Sequence, residues 1–163
     1  AYKGGSKGNI PITALKNTFF NISGDKDILN HKLKLKSNEM IISKDNNKPD
    51  EVINIKKGFY DFNKEIEVLE NFKNAKIKSP NLYIIDKYEQ WPIKLSFKDI
   101  IIKVRTKEPV VVLNQDYLND YKGLCFDTHC DLNLIDENIL KKNRKRIKDT
   151  YETKTEYKFI LKD

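Results

Sequence analysis

The sequence predicts a mainly β fold: a single antiparallel sandwich or jelly-roll-like domain with one or two short helices. Three observations predict it. Short apolar runs rich in Ile, Val, Tyr and Phe recur along the chain, separated by proline, glycine or polar turns. Several of these runs alternate with period two, the spacing of a half-exposed strand. One stretch alone, Phe62 to Phe72, carries clear helical spacing.

The elements follow in order. Ile10 to Ser23 mixes β-branched and aromatic residues and reads as a strand ending at the Ser23-Gly24-Asp25 turn. Lys32-Leu33-Lys34-Leu35-Lys36 alternates cleanly, and Met40-Ile41-Ile42 continues the strand pattern. Lys44 to Asp50 holds Asn46, Asn47 and Pro49, each a turn former for its own backbone reason. Glu51 to Lys57 alternates again and stops at Gly58. Phe62, Ile66, Leu69 and Phe72 then lie four, three and three residues apart, one face of a helix. Asp61 or Asn63 would cap it, with Glu65 and Glu67 in the early turns where the helix dipole favours acids. Strands are expected over 75–78, 82–86, 93–97, 99–105 and 110–113. Pro80, Pro92 and Pro109 mark their borders, because proline cannot donate to a sheet ladder. Asp116 to Tyr121 reads as a loop or short helix, Asp136 to Asp149 as a short basic helix, and Thr155 to Leu161 as a closing strand.

At 163 residues the chain fits one domain, expected over residues 10–163, with residues 1–9 as a flexible Gly-rich arm. That length buries a real core without staples. Two cysteines, Cys125 and Cys130, are too few for a disulfide framework and suit a reducing, intracellular setting or a virion. No stretch approaches the roughly 18 apolar residues of a membrane span, and the first residues hold no secretion signal. Charged residues make up 34% of the chain, but the net +7 is local. Lys141 to Lys148 contains six basic residues and no acid, and the rest of the chain is nearly neutral.

Candidate chemistry is sparse. Cys125, His129 and Cys130 are the only clustered soft ligands, and zinc would need a fourth. His129 and Cys130 are neighbours, which point to opposite faces of a strand, so they are poorly placed as base and nucleophile. Cys125 and His129 would meet only in a helical turn. The plainer reading is two partly buried thiols and a surface histidine. Asp25/Asp27 and Glu65/Glu67 read as solvated surface acids, and Asn21-Ile22-Ser23 as a chance sequon. Trp91, beside Pro92, reads as an anchor at the core edge. No phosphate-cradling glycine loop is present. The chain is therefore expected to be no enzyme and to need no metal or cofactor.

The sharpest local feature is the basic run Lys141, Lys142, Arg144, Lys145, Arg146 and Lys148. Such clusters attract nucleic-acid phosphates through counterion release, or anionic lipid through surface potential. A solvated surface or a packed interface is the other reading.

Ala14 to Ser23, the strand around Lys32 to Leu35, and Val52 to Phe62 with its Gly58-Phe59-Tyr60 step resemble the minor capsid (penton-like) proteins of virophages and Polinton-type elements. The resemblance covers residues 10–72. It implies a jelly-roll fold and a structural role: assembly of a capsid vertex through self-association or contact with other protein subunits. The competing reading is a small basic β-rich module that binds nucleic acid or acidic lipid through residues 141–148.

Overall fold

The computed structural model describes residues 2–5, 18–42, 51–69, 71–72, 81–86, 88–115, 122–128 and 150–162. Thirteen strands run through them: β1 (Tyr2–Gly5), β2 (Phe19–Phe20), β3 (Lys32–Leu35), β4 (Glu39–Ile42), β5 (Glu51–Asn54), β6 (Ile66–Glu67), β7 (Asn81–Ile84), β8 (Ile93–Phe97), β9 (Ile100–Thr106), β10 (Val110–Gln115), β11 (Leu124–Asp127), β12 (Thr150–Thr153) and β13 (Thr155–Leu161). Every pairing is antiparallel. A six-stranded sheet runs β2-β11-β10-β7-β4-β5, and a five-stranded sheet runs β13-β9-β8-β3-β6. β1, within the stretch expected as an arm, pairs with β12 in a separate ribbon.

The period-two pattern explains how the two sheets meet. Leu33 and Leu35 of β3, Ile93 and Leu95 of β8, and Ile102 and Val104 of β9 bury one face of the smaller sheet. Met40, Tyr83, Val111, Leu113, Leu124 and Phe126 bury the facing side of the larger one, and all of these join one core cluster. Burying each such large side chain stabilises the fold by about 1.5–3 kcal/mol. The mainly β sandwich expected from the sequence is thus the fold observed.

The helix expected over Phe62 to Phe72 is not formed. Ile66–Glu67 is strand β6, paired with β3, and helical backbone is confined to residues 68–69 and 71–72 among the described residues. Hydrogen bonds to other segments override the helical spacing. The Leu35 amide donates to the Phe62 carbonyl at 2.8 Å, and the Val68 amide to the His31 carbonyl at 2.8 Å. The Asp61 carboxylate accepts the amides of Lys57 and Asn63, closing the turn around Gly58-Phe59-Tyr60. Those bonds hold Asp61 below the ordinary carboxylate range against the opposing effect of burial, which is the larger single influence and acts upward. Phe62 and Phe72 are nevertheless buried, stacked 5.7 Å apart, so the apolar spacing serves an irregular core segment.

Two buried polar groups make checkable demands. The Tyr83 hydroxyl has no hydrogen-bond partner among the described residues, and burial pushes its pKa far up. Tyr83→Phe removes this unpaired group, so thermal denaturation should show unchanged or higher stability, by up to about 1 kcal/mol. A loss above that amount would mean that the hydroxyl is paired. His31 is fully buried and stacked on Phe97, and its Nε2 accepts the Ile22 amide at 3.0 Å. That bond requires a neutral ring, and burial lowers its pKa below the ordinary 6.5. The unfolded chain binds this proton more readily, so stability should fall as pH drops below about 6.5. His31→Gln should flatten that part of the stability–pH curve. An unchanged slope would remove His31 as its source.

Candidate functional site

The face of the larger sheet that points away from the core is built by the alternate residues of its strands. Cross-strand register aligns Val52, Ile41, Leu82, Val112 and Asp127 in one row over five strands. Next to it, Asn114 lies opposite Cys125, and Cys125 opposite Phe19. Ile41 is buried, while Leu82 and Val112 are half-buried. An apolar row therefore ends in a carboxylate, Asp127, that is only 8% exposed. Buried carboxylates beside apolar walls and a few polar groups are a common basis for binding and proton transfer.

Cys125 shares this face with Asp127. Burial, then the charge of Asp127, pushes the Cys125 thiol up to about 11. It stays protonated near neutral pH, and the thiolate is the nucleophilic form. The nucleophile reading of Cys125 is therefore unsupported, and the plainer reading of a buried free thiol fits. His129, Cys130 and the basic run Lys141, Lys142, Arg144, Lys145, Arg146 and Lys148 lie outside the described residues. Among the described residues no group of His, Cys, Asp and Glu could hold a metal ion.

A threonine ladder runs from Thr128, which follows β11, to the neighbouring end of the sandwich. Thr128 Oγ1 lies 2.6 Å from Thr155 Oγ1, which lies 3.3 Å from Thr106 Oγ1. Thr106 Oγ1 also accepts the Glu108 amide at 3.1 Å. Thr106 and Glu108 line a cleft of about 430 Å³, together with Asp86, Glu89, Gln90 and Arg105 between Pro92 and Pro109. The Arg105 guanidinium lies over the Trp91 ring at 4.8 Å and pairs with Glu156 at 2.5 Å. That pair, with Lys154 at 3.1 Å, brings Glu156 down to about 2. Trp91 thus supports an arginine at the cleft rim, where the sequence suggested only a core-edge anchor.

Sequence reasoning missed both Asp127 and the cleft. Asp127 lies between Cys125 and His129, and nothing in the local sequence singles it out. The cleft joins residues 85–92 to 105–109, which the sequence marks by nothing more than bordering prolines. The paired acids are better placed: Glu65 accepts from the Ser96 hydroxyl and pairs with Lys94 at 2.7 Å. Asn21 of the sequon spends its side chain on the turn, accepting from Ser23 and donating to the Asp25 carbonyl.

No helix among the described residues is long and apolar enough to cross a membrane. No family model matches the chain, and no curated protein matches it significantly. Solved structures do. The GalM/aldose epimerase homologue from C. elegans superposes with a TM-score of 0.75 at 15% identity, over 93% of this chain and 52% of that one. Galactose 1-epimerase from Lactobacillus acidophilus superposes with a TM-score of 0.71 at 15% identity, over 91% of this chain and 48% of that one. The chain spans about half the length of these structures. The capsid resemblance is thereby overturned, since residue types shared over 10–72 are outweighed by a backbone match across nearly the whole chain. With it go the non-enzymatic assembly role and the capsid assignment; the fold is that of proteins named as sugar epimerases or their homologues.

Proposed function

We propose that this chain acts on a free aldose, interconverting its anomers on the outward face of the larger sheet, with Asp127 as the proton-transferring group. The superposition on epimerase folds over more than nine-tenths of the chain carries the reading, and the buried carboxylate gives it chemistry. Anomer exchange needs the proton of the C1 hydroxyl removed and the ring oxygen protonated as the C1–O5 bond breaks. Rotation about C1–C2 and closure then reverse both transfers. A carboxylate set opposite apolar Val112, with Leu82 one strand further along the row, suits the first transfer, because a low-dielectric wall strengthens its hydrogen bond to the hydroxyl. Asn114, on the adjoining strand of the same face, supports the reading as a partner for a sugar hydroxyl.

Polarimetry tests this. The purified chain should speed the approach of freshly dissolved α-glucose or α-galactose to its equilibrium rotation, in proportion to protein concentration. No acceleration with any common aldose, and no saturable shift of protein NMR signals by those sugars, would refute the proposal.

A further inference from the structure

The smaller sheet has one long margin. Strand β13 pairs with β9 on one side and with no other strand among the described residues. It runs seven residues, whereas the outer strands β2 and β6 stop after two. Register determines what this margin presents. The Lys107 amide donates to the Lys154 carbonyl at 3.1 Å, and the Lys162 amide to the Asp99 carbonyl at 2.9 Å. Antiparallel bonding alternates along a strand, so between those two pairs Lys158 and Ile160 turn their peptide groups to β9. Phe159 and Leu161 turn theirs outward. Phe159 lies opposite Ile102 and Leu161 opposite Ile100, on the face whose Ile102 and Val104 join the core. Phe159 meets Phe20 of β2, with ring centres 6.4 Å apart, where the two sheets end side by side. Phe159, Leu161 and Ile100 are therefore core-facing side chains left exposed. Lys158 points to the other face, exposed and opposite Lys103. It has no ion pair among the described residues.

We infer that this margin receives an extended segment of another protein, one that alternates apolar residues with acids, as a further strand beside β13. The backbone selects a polypeptide. The outward N–H and C=O groups of Phe159 and Leu161 repeat at the strand period, and a strand returns acceptors and donors at that same period. The side chains select its sequence. Residues opposite Phe159 and Leu161 would close over the open end of the core, so they must be apolar. The residue opposite Lys158 falls on the other face, beside the ammonium groups of Lys158 and Lys103, and a carboxylate there relieves a like-charge pair. Strand β13 of a second copy supplies no such group, because its one acid, Glu156, is already held by Arg105 and Lys154. A lipid surface would cover the apolar side chains and leave the peptide groups unpaired, at a cost. The margin lies on the opposite sheet from Asp127, so its test does not depend on the anomer reading.

The test adds a capped peptide as long as β13, alternating valine and glutamate, and follows amide hydrogen exchange by NMR. At saturating peptide the amides of Phe159 and Leu161 should gain about tenfold protection, while those of Lys158 and Ile160, already bonded to β9, stay unchanged. K158E should bind this peptide about fivefold more weakly and should prefer the same peptide with lysine in place of glutamate. Lys158 is exposed, so K158E should melt as the wild type does. No protection at about millimolar peptide overturns the inference, as does binding that leaves the Phe159 and Leu161 amides unprotected. Equal binding of the glutamate and lysine peptides by the wild type would overturn the acidic assignment. Self-association that protects the same two amides without peptide would make the occupant a second copy and overturn it as well.

Discussion

Asp127→Asn should lower anomer interconversion by about 10²–10⁴-fold, the usual worth of one positioned acid–base group. The substitution keeps the side-chain volume and removes only the carboxylate charge. The fold should therefore persist, with far-UV circular dichroism and melting close to those of the wild type. A second readout separates proton transfer from support of the sheet. The charge of Asp127 contributes to raising the Cys125 thiol to about 11. In Asp127→Asn that contribution disappears, so the pH at which Cys125 reacts with an alkylating probe should move down. A variant with the shifted thiol titration and wild-type catalytic rate would show that Asp127 reaches this face without serving the reaction.

Phe62→Ala should destabilise the protein by about 3–5 kcal/mol, in the range of large aromatic truncations in cores. Phe62 is fully buried, stacks on Phe72 at 5.7 Å and meets the edge of Tyr83 at 6.2 Å. It belongs to an irregular segment whose backbone is fixed from both sides. Its carbonyl accepts the Leu35 amide, and the Asn63 side chain next to it donates to the Ser37 carbonyl at 2.5 Å. The segment cannot collapse into the vacated volume without losing those bonds, which places the cost toward the upper end. Urea denaturation would measure it. A loss below about 1 kcal/mol would mean that this part of the core relaxes freely.

Much of the sandwich was legible because its strands are half-exposed. The alternation from Lys32 to Lys36 and the β-branched run over 99–105 each predict a strand, and β3 and β9 (Ile100–Thr106) lie there within a residue. Phe62 to Phe72 misled for a physical reason. Spacings of four and three satisfy a helix, but they also suit a chain that dips repeatedly into a core, and the Leu35 amide of β3 with the carbonyls of Leu29 and His31 decides between them. The candidate site was less legible still. Asp127 gains its meaning from Val112, Leu82 and Ile41, which reach it through three strand pairings that no local pattern encodes. The alignment of Lys34, Lys94, Lys103 and Lys158 across β3, β8, β9 and β13 shows the same limit. Each lysine is visible as the polar half of an alternation, yet their alignment depends on which strands are neighbours and in what register.

Strand β13 closes the smaller sheet on one side, with β9 as its ladder partner. It carries Phe159 at 64% and Leu161 at 74% exposure. An outer strand of that kind offers unpaired peptide groups and apolar side chains to any other chain that approaches. Lys158 sits between Tyr157 and Phe159 and points to the opposite face. A second copy docking edge to edge in the register that sets Lys158 against Lys158 would bring two ammonium groups together. The charge of Lys158 thus guards the margin of the sheet against addition of a second copy.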